Sequence, residues 1–216
     1  MITMEINTIN PYVVKIIIAA RKQDSINQIA KRIKLSYGWT YKWCKKLTNL
    51  GVFKESGLKL ILNIENKFYK NTLDYIKENF SDDINFHYSV LELFGIKYCF
   101  TKTDAVFIWT KGGYNIARYK EYYPIFIKIK KDYLSVFEGY CKKLNLKIDR
   151  KRGIFYHVEI LDDFEISHLD NIPVDSLKVT IGFMKKNIYN FQPALEMIKE
   201  MYNKKINIKY KEVNYV

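Results

Sequence analysis

The stretch SINQIAKRIKLSYGWTYKWCKKLTNLGVF, residues 25–53, consists of two amphipathic segments joined by a tight connection. Ser25 and Gln28 have the spacing of a capping box, in which each side chain satisfies a free backbone N–H. Ile26, Ile29, Ala30 and Ile33 follow at i, i+3, i+4 and i+7, one apolar helical face, with Lys31, Arg32 and Lys34 off it. Leu35 closes the turn, and Ser36 is placed to cap a second helix. At about 100° per residue, Tyr37, Thr40, Trp43, Cys44, Leu47 and Leu50 fall in one arc. Gly38, Tyr41, Lys42, Lys45, Lys46 and Asn49 fall in the opposite arc, with Trp39 at the boundary. One face therefore packs, and the other is cationic and able to donate hydrogen bonds. Gly51 ends the segment as a C′ glycine.

Upstream, Asn10-Pro11 opens a further helix, since Asn is a good N-cap and Pro suits the first helical position. It is expected to run to about Gln23. Val13, Val14, Ile16, Ile17, Ile18 and Ala20 nearly encircle it, as in a buried bundle helix. Downstream, residues 52–55, a Ser56-Gly57 turn and residues 58–64 read as a β-hairpin. Phe68, Tyr69, Leu73, Ile76 and Phe80 then give a helical stripe within about 65–80.

The order helix, helix, helix, hairpin, helix, with Ser25, Ile29-Ala30, Leu35-Ser36, Thr40, Leu47 and Gly51-Val52-Phe53 at these spacings, resembles winged helix-turn-helix transcriptional regulators of the MarR/ArsR-like kind. The resemblance covers a quarter to a third of the chain. Trp39 and Trp43 depart from it, since smaller residues are more usual there. It implies a DNA-binding domain over residues 1–80 that engages double-stranded DNA, as a homodimer reading two half-sites. Tyr37, Gly38, Tyr41 and Lys42 would approach base edges in the major groove, with Trp39 beside them and Ser36 at the helix start. Lys34, Lys45 and Lys46 would meet phosphates. The hairpin tip, with Lys54, Ser56, Gly57 and Lys59, would lie along the backbone or enter the minor groove.

Charge fits that expectation. The chain carries 36 basic and 23 acidic side chains, a net +13. Residues 10–64 hold 11 basic and 2 acidic residues and residues 102–152 hold 13 and 5, whereas residues 153–216 hold 8 and 9. A cationic surplus concentrated in blocks suits a polyanionic partner. The second block is interleaved with Tyr114, Tyr119, Tyr122 and Tyr123, a pattern compatible either with nucleic-acid stacking or with a tyrosine-rich sheet carrying snorkelling lysines.

Residues 79–83 are a polar break and the expected boundary to a larger α+β domain, 81–216, with a mainly antiparallel sheet covered by helices on one face. A short helix is expected over 87–94, strands over 97–102 and 105–110 around a Thr103-Asp104 turn, and a loop at Lys111-Gly112-Gly113. Further strands are expected over 123–130, 153–161, 176–182 and 206–210, and helices over 131–144 and 193–202. This domain could serve dimerisation, an effector or more nucleic acid; its order after a winged helix loosely resembles antitoxin-type repressors of the AbiEi class.

The sequence points to no enzyme. Lys111-Gly112-Gly113-Tyr114 lacks the spacing of a P-loop or a dinucleotide fold. Asp162, Asp163 and Glu165 read as a solvated loop before a metal site, and His157 as a packed strand residue. Cys44, Cys99 and Cys141 form neither a disulfide framework nor, with His87, His157 and His168, a zinc spacing. No cofactor or metal is expected, and no small-molecule effector is specified. The longest apolar run, 13–20, is broken by Lys15 and is far short of a membrane span; without a signal-peptide start, a cytoplasmic protein is expected. Two rivals to a regulator are a nucleic-acid-acting enzyme that uses the winged helix for targeting, and a winged-helix protein-interaction adaptor.

Overall fold

The computed structural model describes residues 10–116, 118–119 and 121–208. In chain order the elements are α1 (Pro11–Ala19), β1 (Gln23–Asp24), α2 (Ile26–Ile33), α3 (Tyr37–Asn49), β2 (Phe53–Ser56), β3 (Lys59–Leu62), α4 (Lys67–Phe80) and α5 (Ile84–Val90). There follow β4 (Tyr98–Phe100), α6 (Lys102–Trp109), β5 (Tyr122–Lys130), α7 (Leu134–Leu144), β6 (Gly153–Leu161), β7 (Ser167–Leu169), β8 (Ile172–Val174), α8 (Leu177–Lys186) and α9 (Ile188–Met201). The class is α+β. The chain divides into two compact units. The first holds the described residues through Ile96 together with Val136–Leu146; the second holds Lys97–Ser135 and the described residues from Lys147 onward. Residue 80, where composition suggests a boundary, thus lies inside the first unit, and most of α7 belongs to that unit as well.

In the first unit the caps act as the sequence specifies. The Asn10 side chain accepts a hydrogen bond from Tyr12 N at 3.0 Å, with Pro11 in the first turn. Both bonds of the Ser25/Gln28 box form. Ser36 caps α3 through Trp39 N at 3.4 Å. Each such cap is worth about 1 kcal/mol. Helix α1 ends at Ala19 rather than near Gln23, because Ala20 is extended and Gln23–Asp24 instead pairs antiparallel with β3. The resulting sheet has the order β1-β3-β2. The β2–β3 register, Phe53↔Leu62 to Ser56↔Lys59, places the two-residue tip at Gly57-Leu58, one position beyond the expected turn, with Gly57 at φ +57°.

Ile16, Ile17, Ile29, Leu47, Val52, Leu91, Phe94, Phe137 and Leu144 fill the core. Arg32, read from sequence as a solvent-facing residue, is buried and ion-paired with Asp24, and also donates to Ala19 O. Its stem lies where a side chain at residue 95 would be: a Cβ on Gly95, at φ +59°, would meet Arg32 Cγ at 2.5 Å. Lys143 Nζ donates to the carbonyls of Ile17, Ile18 and Ala20 at 2.6, 3.0 and 2.8 Å, which closes the C-terminal end of α1.

In the second unit the five-stranded sheet has the order β6-β5-β4-β8-β7. It is mixed, not mainly antiparallel. β4–β5 and β7–β8 are antiparallel, whereas β4–β8 and the longest pair, β5–β6, are parallel. Parallel neighbours need a crossover of a dozen or more residues, and the segment containing α7 provides it between β5 and β6. Ile125, Ile127 and Ile129 are fully buried in β5, as their alternation requires.

Two expected strands are helices. Residues 105–110 lie mostly in α6, which absorbs Thr103 and Asp104 as its first turn instead of leaving them as a tight turn. Residues 176–182 become the capped start of α8: Ser176 accepts from Val179 N at 3.3 Å. Both runs are short, apolar and rich in β-branched residues, and periodicity alone does not separate a buried helix from a buried strand. The β7–β8 hairpin has no counterpart in the sequence reading. Helix α9 starts at Ile188, with Pro193 in its interior, earlier than expected. Of the expected strand at 206–210, residues 206–208 are not in a strand and 209–210 lie outside the described residues.

Candidate nucleic-acid interface

Helix α3 buries Thr40, Cys44 and Leu47, and this fixes which residues face outward. Gly38, Lys42 and Asn49 form the centre of the exposed side with Lys45, whose side chain is 42% exposed, and Lys46 lies beside them. Two aromatic rims border this strip. On one side Tyr37 and Tyr41 stand with ring centroids 6.1 Å apart. On the other, Trp39 and Trp43 are 6.4 Å apart and are braced by Tyr12 of α1, 5.5 Å from Trp39 and 6.3 Å from Trp43. That bracing explains why α3 tolerates two tryptophans. Tyr12 was missed in the sequence because it belongs to a different helix.

Each lysine of the strip lies over a ring. Lys42 Nζ is 5.0 Å from the Trp39 centroid, Lys45 is 5.5 Å from Tyr41, and Lys46 is 4.5 Å from Trp43. A ring holds an ammonium in place by its quadrupole, with about 0.5–1 kcal/mol at an exposed site, and leaves the charge uncompensated. Lys45 alone also meets a carboxylate, Glu55 Oε1 at 2.6 Å, which holds its ammonium above the usual lysine range. In front of Gly38 there is open space: a Cβ there would meet nothing within 4 Å.

The hairpin stands beside this face. Lys54, Ser56, Gly57 and Lys59 are all exposed, and Leu58 at the tip is 95% exposed. A cleft of about 320 Å³ runs between the start of α2, the tyrosine rim and the hairpin, lined by Asn27, Tyr37, Tyr41, Lys45, Leu58 and Lys59. The remaining residues singled out from sequence are more committed. Lys34 caps α2 in the left-handed conformation and pairs with Glu92 at 3.2 Å, and the Ser36 oxygen is occupied by Trp39 N.

The second basic block is arranged differently. Arg118 binds Asp104 at 2.6 Å with both side chains buried, and lies against the rings of Phe107 and Tyr123. Lys128 binds both oxygens of Asp175 at 2.8 and 2.9 Å; Asp175 also accepts from Thr101 Oγ at 2.5 Å. Lys102, Lys130 and Lys131 each meet a carboxylate, and Lys143 is taken up by α1. Lys147, Arg150, Lys151 and Arg152, around the start of β6, are exposed. Of the four tyrosines, Tyr123 is buried and Tyr114 half-buried, while Tyr119 and Tyr122 are exposed with centroids 6.2 Å apart.

Among the described residues no cluster of three or more His, Cys, Asp or Glu side chains is placed to hold a metal ion. Asp162, Asp163 and Glu165 lie in an exposed loop, where Asp163 is held below the usual carboxylate range by Lys97 at 2.5 Å. His157, expected to be packed, is exposed on β6 and meets Asp149 at 2.9 Å. Cys44, Cys99 and Cys141 are buried free thiols. Among the described residues no helix is long and apolar enough to cross a membrane. Comparison of the chain with protein-family models, curated proteins and solved structures finds no match.

Proposed function

We propose that the protein is a sequence-specific, double-stranded DNA-binding transcriptional regulator that uses its first unit as a winged helix-turn-helix. In this reading α3 enters the major groove, the β2–β3 hairpin is the wing, and two copies read two half-sites of an operator. The observation that carries the reading is the outer face of α3. Among the described residues Lys42 and Lys46 have no carboxylate partner, and the space in front of Gly38 is open, so that a groove floor can approach the helix backbone. Phosphate contacts from Lys42, Lys46, Lys54 and Lys59 supply affinity and register, while the first turns of α3 face the bases.

Two variants test this on the full chain. Lys42→Ala/Lys46→Ala removes two phosphate contacts, so the slope of log affinity against log salt flattens by about 1.8. Gly38→Leu fills that space without touching the fold; helix propensity improves, and duplex affinity falls at least about tenfold by loss of close approach. Titrations at two or more salt concentrations, with thermal melts alongside, measure both. Equal slopes for wild type and the double lysine variant would exclude α3 from the interface.

A further inference from the structure

The outer face of α3 is chemically unusual for a helix that reads base edges. Its sequence, YGWTYKWCKKLTN, contains no Arg, Gln, Asp, Glu or His. The side chains that make two-point hydrogen bonds to guanine, adenine or cytosine are therefore missing, except for Lys42, Lys45 and Lys46 and, in the last turn, Asn49. What the first two turns do present is aromatic surface. Tyr37 is 54% exposed, Trp39 39% and Tyr41 43%, all on the borders of the cationic strip and flanking the open space at Gly38. Exposed rings of this size carry a large apolar area. The one apolar group a base pair offers in the major groove is the C5-methyl of thymine.

We infer that the protein recognises A·T-rich duplex by apolar contact between the Tyr37, Trp39 and Tyr41 rings and thymine methyls, with lysines supplying phosphate attraction and little base selection. This rests on the placement of α3 in the major groove proposed above. Ring edges and faces exclude water from the methyl groups and need no hydrogen-bond fork. Gly38 lets the helix sit deep enough for rings on both borders to reach the floor of the groove. The lysines over the rings lie between the aromatic surface and the phosphate walls.

The test uses the full chain, four duplexes of about 30 base pairs (alternating dA-dT, alternating dA-dU, alternating dG-dC, and alternating dG with 5-methyl-dC) and, as a fifth arm, single-stranded oligo-dT of the same length. Uracil removes only the methyl, and 5-methylcytosine restores a methyl at the same groove position in a G·C context. Each methyl desolvated against a ring is worth about fourfold in affinity. Two or three contacts predict that dA-dT is bound at least about tenfold more tightly than dA-dU, and the methylated G·C duplex more tightly than the plain one. Tyr37→Ser/Tyr41→Ser should shrink the thymine-over-uracil ratio while keeping the salt slope and the melting temperature.

Equal binding of dA-dT and dA-dU, with salt dependence intact, would overturn the methyl readout and leave the DNA-binding reading standing. A preference for dG-dC over dA-dT would overturn it in favour of guanine contacts from Lys42. Tighter binding of single-stranded dT than of any duplex would overturn it in favour of stacking on unpaired bases. Absence of binding to every duplex at low salt would overturn the proposed function itself.

Discussion

Cations in the two units of this protein are held in different balance, mainly by rings on α3 and mainly by carboxylates around β5. On α3, Lys42, Lys45 and Lys46 lie over Trp39, Tyr41 and Trp43. Around β5, Arg118, Lys128 and Lys130 lie against Asp104, Asp175 and Asp132. The two stretches have a similar cationic surplus in the sequence. An aromatic ring orients a cation and leaves its field intact, whereas a carboxylate cancels it. A count of basic residues therefore overstates the second block as a polyanion surface more than the first, where Arg32, Lys34 and Lys45 are the paired cations. Among the described residues, Lys111, Lys142 and the group Lys147, Arg150, Lys151 and Arg152 are the exposed part of the second block that retains its charge.

The largest effect separating the two arrangements should be on stability. Asp175 binds Lys128, Thr101 and, through Cys99 Sγ at 3.7 Å, a buried thiol. Asp175→Asn leaves Lys128 uncompensated in a site that is 15% exposed. Such a break costs about 3–5 kcal/mol, lowering the melting temperature by about 6–20 °C. Lys128→Met/Asp175→Leu, which removes both charges, should recover most of that loss. Lys42→Ala/Lys46→Ala should stay within about 0.5 kcal/mol of wild type, as exposed substitutions do. Calorimetry of the four proteins decides it: a harmless Asp175→Asn would mean that the pair around β5 is no more structural than the strip on α3.

One cation of the first unit breaks the pattern. Lys143 faces neither a ring alone nor a carboxylate, but three carbonyls at the end of α1. Burial pushes its ammonium down to about 7, with Asp24 opposing that shift and Arg32 adding to it. The unfolded lysine titrates near 10.4. A folded value below the unfolded one means that the unfolded chain binds more protons between the two, so stability rises with pH from about 7 upward, by at most about 1.4 kcal/mol per unit. As pH enters the ordinary thiol range the slope turns over, since burial raises Cys44 to about 12 and also raises Cys99 and Cys141. Denaturant melts between about pH 6.5 and 7.5, below that range, isolate Lys143, and Lys143→Met should remove the rise. A flat profile for wild type would show that the three carbonyl acceptors, which favour the charged amine, outweigh desolvation.

Sequence made the first unit far more legible than the second, for physical reasons. Caps are local: Asn10-Pro11, Ser25 with Gln28, Ser36 and Gly51 act within a few residues of themselves, and the helix starts they set formed where expected, although α1 stops at Ala19. The cationic strip of α3 followed from helical spacing alone. What surrounds the strip did not, because Tyr12, Glu55 and the Leu58 tip come from other elements. The Arg32–Asp24 pair was hidden because a buried arginine looks like any surface arginine until its partner is in place. In the second unit α6 is apolar on nearly every side, which leaves little amphipathic period to read, and α8 carries the β-branched run Val179-Thr180-Ile181, which reads locally as a strand. The parallel β5–β6 pairing depends on a crossover through α7, and no short pattern encodes it.

The smallest effect concerns Glu55, which among the described residues is the carboxylate that pairs with a lysine of the α3 strip. It takes up Lys45 at 2.6 Å in an exposed pair that salt and solvent screen, so the contact adds little to the fold. In a complex with DNA the same carboxylate would face phosphates and repel them, while keeping Lys45 from reaching one. Glu55→Gln removes the repulsion and frees the ammonium, so duplex affinity should rise about three- to tenfold and the salt slope should steepen by up to about 0.9. Asp132→Asn, which frees Lys130 in the second unit, should leave both quantities unchanged. Equal gains from the two substitutions would mean that net charge alone governs binding, and that the rings on α3 confer nothing the carboxylates around β5 take away.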